Sequence, residues 1–173
     1  MIPNIVGFHT NSKSKCSSFL RGGFLFSHDT FWLGYGMYFW DNFSNSKWWK
    51  KERLRKDKIN CSIVAANLEL SNLLDLTDED VATEFQNLWT EYCRLNNDSI
   101  NQPLGKKIDL LFDYFSLEDQ FKVVRGIGNY PNRRTYTFLH WEGRRSPSID
   151  NKARMIYVVR QREALSNEKL LAV

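Results

Sequence analysis

The most chemically informative part of this chain runs from Gly34 to Trp49: Gly34-Tyr35-Gly36-Met37-Tyr38-Phe39-Trp40, then Ser44-Asn45-Ser46 and Trp48-Trp49. Two glycines let the backbone turn tightly ahead of an aromatic strand. Ser46 and Trp49 follow one helical turn apart, which puts a hydroxyl and an indole on one face. Such a surface could hold a flat, polar ring, with Tyr38 and Trp49 against its faces and Ser46 bonded to an amide in its plane. The same residues equally fit an ordinary turn followed by core aromatics. His9 adds a titratable group at the end of the apolar stretch Ile5-Val6-Gly7-Phe8. His28 and His140 have no second histidine at i+4 and no carboxylate at ligand spacing, so no metal is expected.

The elements that must position these groups read as short strands alternating with a few helices, an α+β pattern. Strands are expected at Ile5 to His9, Gly36 to Trp40, Asn60 to Leu70 and Met155 to Val159, the last rich in β-branched residues. A short helix from Ser17 to Arg21 closes on Gly22-Gly23, and a basic helix spans Asn42 to Asp57 with Ser44 as its cap. Thr77-Asp78-Glu79-Asp80 starts a further helix whose Val81, Phe85, Leu88, Trp89 and Tyr92 recur at core spacing. Ile108 to Phe115 fits another helix, and Tyr130-Pro131-Asn132 reads as a turn in a long loop.

At 173 residues, with 42% hydrophobic and 25% charged residues, the chain suits one domain with a core large enough to need no staple. Cys16, Cys61 and Cys93 are odd in number and far apart, which supports neither a disulfide framework nor zinc and fits a reducing, cytoplasmic setting. No run of eighteen apolar residues and no signal-peptide pattern at Met1-Ile2-Pro3-Asn4 is present, so no membrane association is expected.

Charge is segregated along the chain. Ser44 to Lys58 holds seven basic residues against Glu52 and Asp57, Glu69 to Asp119 holds twelve acids against Arg94, Lys106 and Lys107, and Arg125 to Arg160 is basic again. Either these are solvated faces, or the two basic segments meet around one anionic ligand.

The order His9, then Gly34-x-Gly36-x-Tyr38-Phe39, then Ser44-x-Ser46-x-x-Trp49 resembles the NAD-binding signature of the diphtheria-toxin-like ADP-ribosyltransferases, the class that includes the poly(ADP-ribose) polymerases. The Trp32-Leu33-Gly34-x-Gly36-x-Tyr38-Phe39-Trp40 form is similar to small bacterial and phage-linked members, many of them toxins. The resemblance covers about residues 5 to 75 and 121 to 163, with an acidic helical insertion at about 77–120. It implies two small, mostly antiparallel sheets packed around an NAD cleft with flanking helices. It further implies that His9 bonds a ribose hydroxyl of NAD+, that the Thr10 backbone and Ser46 hold the nicotinamide carboxamide, and that Tyr38 and Trp49 sandwich the ring. NAD+ is then the substrate and no metal is required.

Two positions depart from the family pattern. Thr10 stands where the family has glycine after the histidine, and Ile156 stands where polymerising members carry a catalytic glutamate. The implied activity is therefore transfer of a single ADP-ribose, with Glu142 the leading candidate for a replacement acid and Glu163 a weaker one. Arg125, Arg133 and Arg134 are candidate phosphate contacts. The acceptor is a protein, or a nucleic acid held by the basic stretches interleaved with Trp48, Trp49, Tyr130, Tyr136 and Trp141. A toxin of a toxin–antitoxin or anti-phage system, with a neutralising antitoxin partner, follows from the resemblance. The alternatives are a non-catalytic module binding NAD or ADP-ribose, and an NAD glycohydrolase in which water replaces the acceptor.

Overall fold

In the computed structural model, which describes residues 3–129 and 153–172, the aromatic signature lies on a central strand of a mixed sheet. The chain runs β1 (Asn4–Ser12), α1 (Lys13–Leu20), β2 (Ser27–Asp29), β3 (Gly34–Trp40), α2 (Phe43–Asp57), β4 (Cys61–Glu69) and β5 (Leu73–Asp75). It continues through α3 (Glu79–Asn96), α4 (Leu104–Phe115), β6 (Val123–Asn129), β7 (Ala153–Val159) and β8 (Leu165–Leu171). Short 3-10 turns stand at Leu117–Asp119 and Arg162–Ala164. The class is α+β, as the sequence suggests. No helix among the described residues is long and apolar enough to cross a membrane.

The strand order is β5-β6-β7-β3-β1-β4-β8, with β2 also on β3. Among the described residues every pairing is antiparallel except β5 with β6. The expectation of two separate sheets is corrected: the strands form one hydrogen-bonded sheet. Its halves are joined weakly, however, because β1 and β3 share only the register pair Phe8↔Trp40, whereas β1 pairs with β4 along its whole length from Asn4↔Glu69 to Ser12↔Cys61. Past Phe8 the two central strands diverge, and that divergence opens the candidate site.

Strand alternation divides the core in two. On β7, Ile156 and Val158 face one cluster with Leu33, Leu74 and the α3 and α4 residues Phe85, Trp89, Ile108 and Phe112. Tyr157 and Val159 face the other, with Met37 and Phe39 of β3 and Cys16 and Phe19 of α1. β7 is thus covered on both faces, which explains its unbroken β-branched run. The α3 stripe is core as expected, with Phe85, Trp89 and Tyr92 buried.

Three expectations change. The cap of α2 is Asn42, whose side chain accepts from the Asn45 N–H, and Ser44 lies inside the helix. Met155 to Val159 is not the last strand, since β8 follows and pairs with β4. The basic segments do not converge on a shared anion through Arg125 or Arg160: Arg125 is ion-paired with Asp75, and Arg160 with Asp109 and Glu118, all acids of the intervening segment. Arg125 is accordingly engaged by Asp75 in the fold. Tyr130, Pro131, Asn132, Arg133, Arg134, Tyr136, His140, Trp141 and Glu142 lie outside the described residues.

Candidate active site

Where β1 and β3 part, a cavity of about 390 Å³ opens, lined by His9, Thr10 and Asn11 of β1, Lys15 of α1, Tyr38 and Trp40 of β3, Trp49 and Arg53 of α2, and Ile156 of β7. This size lies within the range of small-molecule sites. Four of the residues singled out in the sequence, His9, Thr10, Tyr38 and Trp49, therefore reach one space from three separate elements. Ile156 reaches it too, as the β3–β7 register pairs it with Trp40.

His9 spans the gap between the diverging strands. Its Nδ1 lies 2.7 Å from the Tyr38 carbonyl, and its Nε2 lies 3.3 Å from the Asn11 amide nitrogen. Burial, more than the nearby Lys15 charge, pulls its pKa down to about 4, although the bond to Tyr38 opposes the shift. The ring is consequently neutral at physiological pH. A carbonyl can only accept, so the proton sits on Nδ1 and Nε2 offers a lone pair toward Asn11 and the cavity.

Tyr38 is held at both ends. Its hydroxyl donates to the Gly34 carbonyl at 2.7 Å and accepts from the Leu33 N–H at 3.2 Å. Burial pushes the phenol well above its ordinary range. With its hydroxyl fixed and its ionisation suppressed, Tyr38 presents a neutral aromatic surface of set orientation, which suits stacking better than proton transfer.

Ser46 is fully buried and does not itself line the cavity. Its carbonyl accepts from Thr10 Oγ1 at 3.1 Å, tying α2 to β1, while its own Oγ has no hydrogen-bond partner among the described residues. A buried hydroxyl left unsatisfied is costly, and most such groups in folded proteins are paired. For this hydroxyl to serve a ligand, a neighbouring side chain must give way on binding.

The electrostatic character of the cavity is mixed but tilted toward cations. Lys15 and Arg53 border it, and Arg53 Nε lies 2.9 Å from Asp57 Oδ2 without hydrogen-bond alignment. Among the described residues the one carboxylate lining the cavity is Asp29, and its Oδ1 accepts from the Phe31 and Trp32 N–H groups of its own turn. Glu163 stands exposed in the 3-10 turn Arg162–Ala164 and does not reach the cavity.

Some lining residues escaped the sequence reading although a signal existed for them. Asn11 follows His9 at the two-residue period of a strand face, and Arg53 follows Trp49 at i+4 on a helix. Lys15 carries no such mark. No protein-family model matches this chain, and no curated protein or solved structure matches it either.

Proposed function

We propose that this chain is a mono-ADP-ribosyltransferase that takes ADP-ribose from NAD+ and passes it to a macromolecular acceptor, a protein or a nucleic acid. One observation carries the reading: His9, Tyr38 and Trp49 converge on one cavity while Ser46, one helical turn before Trp49, holds a buried hydroxyl with no partner among the described residues. The Tyr38 and Trp49 rings offer apolar surfaces for a nicotinamide, and the Ser46 hydroxyl offers the polar contact its carboxamide needs. His9 Nε2, already an acceptor, takes a hydrogen bond from a ribose hydroxyl in place of Asn11. Lys15 and Arg53 provide positive charge for the diphosphate.

Breaking the bond between nicotinamide and ribose develops positive charge on the ribose carbon. The residues around the cavity assist by orienting the two halves of the dinucleotide and by keeping water from that carbon, so that a bound acceptor is attacked in preference. Ile156 contributes no charge to this step, which fits single transfer and slow turnover. A toxin role, held in check by an antitoxin protein, is consistent with such an activity.

The test incubates the purified chain with adenylate-labelled NAD+ and separate pools of cell protein, RNA and DNA, beside a variant carrying both His9→Ala and Tyr38→Ala. Label entering one pool and lost in the variant is the expected result and names the acceptor class. NAD+ consumed without label in any pool identifies a glycohydrolase. NAD+ bound but not consumed identifies a binding module, and either result overturns the transferase.

A further inference from the structure

We propose that Asp109 is a positioning residue for Tyr38, acting through a single peptide group and anchored by the buried Arg160. The inference rests on the reading of Tyr38 as a nicotinamide-stacking ring. Gly34 C=O and Tyr35 N–H belong to the same peptide plane. The carbonyl side accepts the Tyr38 hydroxyl at 2.7 Å, and the N–H side donates to both Asp109 oxygens, at 2.9 and 3.1 Å. A carboxylate on the N–H polarises the peptide and strengthens its carbonyl as an acceptor, so the charge on α4 is felt at the phenol.

Arg160 completes the device. Its side chain is 2% exposed, its Nη1 donates to Asp109 Oδ1 at 2.8 Å and to the Tyr35 carbonyl at 3.1 Å, and its Nη2 donates to Glu118 at 2.8 Å. Both polar groups of Tyr35's backbone are thus held by side chains from elsewhere in the fold. Gly34 bears the mark of this approach: at φ +80° a Cβ there would lie 2.4 Å from Asp109 Oδ1, so the first glycine of the signature is the space through which the carboxylate reaches the peptide. The acidic helical segment therefore contributes to the site, although none of α3 enters the cavity.

Glu118 supplies the control, because it shares Arg160 with Asp109 but does not touch the Tyr35 peptide. In NAD+ titrations, Asp109→Asn is expected to raise KM about tenfold, the loss typical of one charge-assisted hydrogen bond, and to cost less than about twofold in a Tyr38→Phe background where the relay has no terminus. Glu118→Gln is expected to lower thermal stability and leave KM unchanged. An Asp109→Asn penalty equal in both backgrounds, or a Glu118→Gln penalty equal to it, overturns the proposal. A second readout does not depend on NAD+ or on the folding of the Asp109 variant: the Tyr35 amide proton resonance, assigned in the native chain, is expected to shift in Tyr38→Phe. No shift overturns the relay. If the native chain ignores NAD+ while that resonance does shift, the functional reading fails and the relay stands.

Discussion

Ser46→Ala separates a hydroxyl kept for a ligand from one kept for the fold. Ser46 is 0% exposed, and its Oγ has no partner among the described residues, whereas its carbonyl bond from Thr10 survives the substitution. An unsatisfied buried hydroxyl costs about 1–3 kcal/mol. Alanine also suits a helix better than serine by about 0.5 kcal/mol, while the small void left by one oxygen forfeits about 1 kcal/mol of contacts. The balance favours the variant by about 1 kcal/mol, a rise in Tm of about 2–4 °C for a chain of this length. NAD+ or nicotinamide binding is expected to weaken about tenfold, as for one lost hydrogen bond. Scanning calorimetry on both proteins and titration calorimetry with each ligand measure the two effects. A variant that loses more than about 1 kcal/mol and binds as the native chain does would falsify this account of Ser46.

His9 gives a pH prediction with a definite sign. Its folded pKa of about 4 lies below the ordinary 6.5, so the unfolded chain binds the proton first. Its contribution is fully present above pH 6.5 and declines as pH falls toward 4, by about 3 kcal/mol in total. Urea midpoints of the native chain and His9→Gln at pH 7, 5.5 and 4.5 should converge as the medium acidifies; parallel curves would contradict the burial argument. Gly36 has φ +146°, and a Cβ there would lie 2.5 Å from Val158 Cγ1 and 2.6 Å from the Val159 carbonyl, whereas Gly22 at φ +91° has open space around it. Gly36→Ala is therefore expected to cost about 2–4 kcal/mol in urea unfolding, against about 1 kcal/mol for Gly22→Ala, and equal costs would remove the steric reading of the signature glycine.

The sequence made some elements legible because a single physical signal dominated them. The aromatic run of β3, the β-branched run of β7 and the spaced apolar residues of α3 each serve one burial pattern. β6 escaped because Gly126 and Gly128 interrupt its apolar residues, and β8 because Leu165-Ser166-Asn167-Glu168-Lys169-Leu170-Leu171 is a mostly exposed edge whose place is set by pairing with β4. Asn42 and Ser44 are both good caps by type, and only the direction of the chain entering α2 chooses between them. Charge segregation left open solvated faces or a shared anionic ligand, and Arg160 instead finds Asp109 fifty-one residues away, a pairing that only the tertiary fold creates. At the site, residues tied by strand or helix period could be read from the chain, whereas Lys15 and Asp109 are brought in by packing alone.

The site exists because the sheet stops being regular at its centre. Had β1 and β3 continued pairing beyond Phe8 and Trp40, backbone hydrogen bonds would fill the space that the cavity occupies. The divergence exposes polar backbone that must be satisfied, and His9 Nδ1 meets part of that need at the Tyr38 carbonyl of β3, while Thr10 Oγ1 donates to the Ser46 carbonyl of α2. Each contact ties β1 to an element bearing one of the proposed stacking rings, β3 with Tyr38 and α2 with Trp49. His9 and Thr10 therefore hold the walls apart, and the atom left facing the cavity is His9 Nε2, which a ligand would take over from Asn11. Removing His9 must then damage stability and binding together, while removing the Ser46 hydroxyl damages binding alone. That difference is what a built site predicts and an accidental gap between strands does not.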